Sequence, residues 1–123
     1  CMALDIAASE LCRDGQYQLK SEKKLFTQAE WIGQLAEWIQ VYPIVSIEDA
    51  MDQNDWEGWQ AITQTLGGSV QLVGDDVFAT QAAVVQRAID MSVANAVLIK
   101  PNQVGTVTET LATIACAKQA HYG

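Results

Sequence analysis

The sequence predicts an α/β fold organised around a parallel sheet. Four short apolar runs recur along the chain, each is followed by a helical pattern, and three of the four are almost continuously apolar. Strands buried on both faces read this way, whereas half-exposed strands alternate. Strict strand–helix alternation joins parallel strands through helical crossovers. Two architectures fit these four consecutive βα units: a doubly wound open sheet, or part of a (β/α)8 barrel of the TIM type. The last three runs start roughly 26 residues apart, close to the ~30 of one barrel unit.

The first strand is predicted over Met2 to Ile6 and carries Asp5 near its end. Residues 11–25 are polar, hold the turn signal Asp14-Gly15, and read as an excursion after that strand. Thr27 with Glu30 three residues on forms a capping-box pattern, and Trp31, Leu35, Trp38 and Ile39 then mark one helical face. The second strand, Ile44 to Ile47, ends in Glu48, and a helix from Asp55 to Leu66 stops at Gly67-Gly68. The third strand, Val70 to Val73, runs into Gly74-Asp75-Asp76; Thr80 is expected to cap a helix with the stripe Val84, Val85, Ala88 and Ile89. The fourth, Ala96 to Ile99, ends in Lys100-Pro101, where the missing proline N–H stops the ladder. Thr106 is expected to cap a last helix that turns Val107, Leu111, Ile114 and Ala115 toward the sheet.

Composition narrows the functional classes. A chain of 123 residues suits one domain, and 50% hydrophobic residues against 18% charged exclude intrinsic disorder. Fifteen acids against seven bases, a formal charge of −8, argue against nucleic acid or an anionic membrane surface as partner. No apolar run approaches the ~18 residues of a membrane span, and CMALDIAASE has no basic start of a signal peptide. Cys1, Cys12 and Cys116, an odd number without a CxxC spacing, read as reduced thiols of a cytoplasmic protein. The immediate start on a strand and the stop at HYG after a helical pattern read as ends cut from something longer.

In both architectures ligands bind at the carboxyl ends of the strands. Every predicted strand here ends in an ionisable residue: Asp5, Glu48, Asp75 with Asp76, and Lys100. Converging carboxylates repel one another and favour a hard divalent cation such as Mg²⁺, which takes oxygen ligands. A lysine beside such a centre suits proton abstraction next to a metal-bound carboxylate. Other features read as structural: Gly105 as part of a helix cap, the lone His121 as a surface residue, the four tryptophans as packing anchors, and Ser9 without a histidine partner.

The segments ALDIAASE, YPIVSIEDAMDQNDWEGW, VQLVGDD and VLIKPNQVGTVTET resemble enolase (phosphopyruvate hydratase), in that order and near the family's spacing, with wording closest to its bacterial members. The resemblance covers nearly the whole chain; SIED, GDD and LIKPNQ-GT-TET are specific in combination. It implies Asp5, Glu48 and Asp75 as Mg²⁺ ligands. It implies Lys100 as the general base that takes the C2 proton of 2-phosphoglycerate, giving phosphoenolpyruvate and water in glycolysis. A homo-oligomer is implied as well.

The same resemblance places residues 1–123 as an internal segment of the C-terminal barrel domain, without the smaller N-terminal domain and the last barrel units. The glutamates of the general acid, the phosphate-holding Arg and Ser of an SHRSGE segment and a second active-site lysine have no counterpart here. Ala50 stands after SIED where many members have glycine. The isolated chain is therefore expected to be inactive, and the alternative reading is a non-catalytic fragment acting as an oligomerising or binding module.

Overall fold

The structure is a computed structural model that describes residues 1–123. Its central sheet has four strands, β1 (Met2–Asp5), β5 (Ile44–Glu48), β6 (Gln71–Gly74) and β7 (Ala96–Val97), in the order β1-β5-β6-β7. Every pairing is parallel. Neighbours in space are neighbours along the βα series, so there is no reversal of order of the kind that defines a doubly wound sheet. That order decides between the two architectures in favour of part of a TIM-type barrel.

A second sheet fills the excursion. The strands β2 (Cys12–Arg13), β3 (Gln16–Leu19) and β4 (Lys24–Phe26) pair antiparallel in sequence order. Asp14 and Gly15 both have positive φ, 51° and 76°, as a two-residue hairpin of the right twist requires. Tyr17 is the buried anchor of this sheet, stacked on Trp31 at 5.6 Å between ring centroids.

Helix α1 (Gln28–Val41) starts at the expected capping box, with the Thr27 hydroxyl accepting from Glu30 N–H and the Glu30 carboxylate accepting from Thr27 N–H. Its buried face is Trp31, Ile32 and Leu35, with Trp38 and Ile39 half-buried beside them. Helix α2 (Trp56–Leu66) is capped by Asp55 and buries Trp59, Ile62 and Leu66. Helix α3 (Ala82–Met91) buries Val85 and Ala88. A short α4 (Pro101–Val104) and α5 (Val107–Gln119) complete the chain. The core is one continuous cluster of 21 buried residues, so hairpin, helices and sheet form a single packed unit.

Three expectations are corrected. The fourth strand ends at Val97 rather than Ile99; Leu98 N–H still reaches Gly74 C=O, and the chain then turns into α4. Thr80 is not a helix cap. Gln81 occupies that position without a side-chain bond, and Thr80 is fully buried just before it. The face of α5 is also different: Thr110, Thr113 and Ala117 point inward, while Val107 and Leu111 are 73% and 58% exposed. The inward threonines satisfy their own hydroxyls, Thr110 donating to Thr106 C=O and Thr113 to Thr80 C=O, which offsets the cost of burying them. Thr106 does cap α5, accepting from Glu109 N–H.

Candidate metal and proton-transfer site

Parallel pairing places the predicted site residues at one end of the sheet. Asp5 and Glu48 are register partners at the last rung between β1 and β5, and Glu48 pairs with Val73 of β6. Asp75 follows the last residue of β6, Gly74, which pairs with Val97 of β7; Lys100 lies three residues beyond that strand. Gly74 is required sterically: a Cβ there would come within 2.4 Å of the Phe78 ring.

Asp75 is the centre of the cluster. Its carboxylate is buried, 8% exposed, and accepts from Lys100 Nζ on Oδ2 and from Gln103 Nε2 on Oδ1 at 2.9 Å. The Lys100–Asp75 hydrogen bond holds the Lys100 ammonium above its ordinary range, and the charges of Glu48 and Asp76 push it the same way. Burial raises the Glu48 carboxyl, and the charges of Asp5, Asp75 and Asp49 raise it further against the opposing effect of Lys100. These couplings bring all four predicted residues into one electrostatic neighbourhood, with Asp75 and Lys100 in direct contact.

Asp49 escaped the sequence reading. It is 5% exposed, has φ 43°, and accepts from the backbone N–H groups of Asp75 and Asp76 at 2.9 and 3.0 Å. Burial raises its carboxyl, and those two N–H bonds oppose the rise. Asp49, Asp75 and Asp76 bring one carboxylate oxygen each within 4.8 Å of one another, an arrangement able to hold a cation. It shares only Asp75 with the set expected from the sequence. Asp49 spends both oxygens on the turn that presents Asp75, so its structural work is visible without a metal.

Thr80 and Gln103 also escaped it. Thr80 has φ 55° and no exposed surface; a β-branched residue in that region costs about 1–3 kcal/mol unless its surroundings impose it. Its hydroxyl accepts from Lys100 N–H at 2.9 Å and donates to Gln103 Oε1 at 2.7 Å. The partners are 20 and 23 residues away, so no local spacing signals the contact.

The features read as structural stay so. His121 is exposed, Gly105 closes α4 with φ 92°, and Ser9 accepts from Gln53 N–H at 3.0 Å. Trp31 and Trp59 are fully buried anchors, and Arg87 lies 4.0 Å over Trp56. The three cysteines are free, and no helix is long and apolar enough to cross a membrane.

A parallel βα sheet in sequential strand order, with carboxylates and one lysine at its carboxyl end, has the arrangement of part of a TIM barrel. Residues 1–123 match the family described as enolase, C-terminal TIM barrel domain, and the chain belongs to that family, a family of lyases.

Proposed function

We propose that this chain carries the cation-binding and proton-abstracting part of an enolase site. The full reaction is the Mg²⁺-dependent dehydration of 2-phosphoglycerate to phosphoenolpyruvate, a cytoplasmic step of glycolysis. The carrying observation is the excess of carboxylate at the strand ends, Asp5, Glu48 and Asp75, with Lys100 as the one cation in contact with it. These hard oxygen donors fit Mg²⁺, and Glu48, raised first by burial and then by the charges of Asp5, Asp75 and Asp49, lies among negative charge that a divalent ion would offset. Bound there, Mg²⁺ would supply positive charge against the negative charge that develops on the substrate carboxylate.

Lys100 Nζ is the group that takes the C2 proton; the C3 hydroxyl then leaves as water, with a proton from a general acid that residues 1–123 do not supply, and the C2–C3 double bond forms. Asp75 and Thr80 position that lysine, one through its ammonium and the other through its backbone N–H. Asp75 holds the Lys100 ammonium, and residues 1–123 supply neither the general acid nor the phosphate-holding residues of the full reaction, so the chain alone turns over slowly or not at all.

Isothermal titration of the purified chain with Mg²⁺, beside an assay with 2-phosphoglycerate, tests both parts. Saturable binding that Asp75→Asn removes is expected, with turnover far below the ~10 per second of an ordinary enzyme. Absence of Mg²⁺ binding overturns the site, and ordinary turnover overturns the inactivity.

A second reading has its own observation. The outer edge of β1 is open, that of β7 carries the single residue Gly123, which accepts from Val97 N–H at 3.1 Å and donates to Asn95 C=O at 3.0 Å, and each borders an apolar groove, Met2, Leu4, Trp38, Tyr42 and Ile44 along β1 and Val97, Ile99, Ile114 and Tyr122 along β7. In that reading the chain is an oligomerising module in which two copies pair β1 to β7. Sedimentation of a clean monomer at high concentration removes it.

A further inference from the structure

Asp75 is held by more than Lys100. Gln103 Nε2 donates to Asp75 Oδ1 at 2.9 Å, and Gln103 Oε1 accepts from the Thr80 hydroxyl at 2.7 Å. The orientation of the Gln103 amide follows from proton count. The Thr80 oxygen takes the Lys100 N–H at 2.9 Å, so its single proton is free for an acceptor, and that acceptor is the amide oxygen. The amide nitrogen must then face Asp75, whose ionised carboxylate accepts only. Thr80 is itself fixed from behind, because Thr113 Oγ1 of α5 donates to Thr80 C=O at 2.7 Å. The result is a relay, buried at Thr113 and Thr80 and half-buried at Gln103, from α5 to Asp75, built on a backbone conformation that threonine adopts only under constraint.

We infer that Gln103, oriented by Thr80, is a positioning residue that sets the Asp75 carboxylate for cation binding. The inference rests on the assignment of Asp75 as a cation ligand. Gln103 uses one lone pair of Oδ1 and stops rotation of the carboxylate, leaving its remaining lone pairs in a fixed direction. Partners of this kind, one step removed from a metal, typically change affinity by about 10–100-fold when lost.

Isothermal titration with Mg²⁺ and thermal melting of the whole chain, compared among wild type, Asp75→Asn, Gln103→Met, Thr80→Val and Thr80→Ser, tests it. Gln103→Met keeps length without the donor, and Thr80→Val keeps shape without the hydroxyl. Expected are affinities about 10-fold weaker for Gln103→Met and Thr80→Val, and near wild type for Thr80→Ser, which restores the proton donor. A merely structural role would make affinity follow melting temperature through the series. The inference requires Gln103→Met to lose affinity even where its melting temperature equals that of Thr80→Ser. Wild-type affinity in Gln103→Met, with Asp75→Asn still abolishing binding, overturns the positioning role and leaves the site standing. No Mg²⁺ binding by wild type overturns the site and the relay together.

Discussion

Two aspartates, twenty residues apart in the chain, show how differently this fold uses a carboxylate, Asp55 half-buried and Asp75 buried. Asp55 caps α2, accepting from Gly58 N–H at 2.9 Å, and the same carboxylate accepts from Gln28 Nε2 and Tyr17 Oη, each at 2.9 Å. All its donors are neutral, and together they bind hairpin, α1 and α2 into one body. Asp75 accepts from a lysine and an amide while Glu48 and Asp49 lie near enough to be raised by its charge. The first network is satisfied and has nothing left to bind. The second keeps more negative charge than its single lysine offsets, the imbalance on which the proposed cation site rests.

Exchanging the effects of the two residues would break that contrast, and this is the largest expected difference. Asp75→Asn is expected to remove Mg²⁺ binding in a titration while changing stability little, because loss of the Lys100 pair is offset by relief of repulsion on Glu48. Asp55→Ala is expected to leave Mg²⁺ affinity unchanged and to cost about 2–3 kcal/mol in urea unfolding, the sum of a lost cap and orphaned Tyr17 and Gln28 donors. The same joint gives a smaller second test. Tyr17 Oη donates to Asp55 and accepts from Asp52 N–H at 3.1 Å, so Tyr17→Phe is expected to cost about 1–2 kcal/mol with Mg²⁺ affinity intact.

Raised groups in both regions lose stability as pH rises, Tyr17 of the joint and Lys100 of the mouth in the alkaline window and the carboxylates of the mouth in an acid one. Burial holds the phenols of Tyr17 and Tyr122 above their ordinary value, Tyr122 at about 12. Between the unfolded value of about 10 and those raised values the folded chain keeps protons that the unfolded chain has released. Stability is therefore full below about pH 10 and is lost as pH rises through the folded values. Glu48 and Asp49 are raised too, so their window opens at the ordinary carboxylate range, and the metal-free chain gains stability on acidification from neutrality toward it. Melting temperatures of the metal-free chain are expected to rise modestly on acidification toward the ordinary carboxylate range of about 4 and to fall above about 10. A flat acid side would mean that the mouth is no more strained than the joint.

What could be read from the sequence divides along the same line. The strands, the Thr27 capping box and the strand-end positions of Asp5, Glu48, Asp75 and Lys100 all follow from local spacing, because apolar runs and caps act over a few residues. The βα alternation left two architectures open, and strand order decided between them. What escaped is held by distant partners. Tyr17 meets Asp55 across 38 residues, and Thr80 answers to Lys100 and Gln103 rather than to the helix it precedes. Asp49 was hidden because its service is to backbone N–H groups on another loop.

The smallest expected effect concerns the one helix whose apolar pattern misled. Leu111 follows the helical period of α5, and a sheet-facing leucine replaced by a polar residue would cost several kcal/mol, about the 2–5 of a core truncation. In the structure the inward positions belong to Thr110, Thr113 and Ala117, and Leu111 is 58% exposed. Its replacement should therefore be nearly silent: Leu111→Gln is expected to change unfolding free energy by no more than about 0.5 kcal/mol. Thr113→Val, by contrast, leaves the Thr80 carbonyl without its buried donor and is expected to cost about 1–2 kcal/mol, although it makes the helix more apolar. The order of those two losses distinguishes a helix chosen for its hydroxyl contact with the site from one packed by hydrophobicity alone.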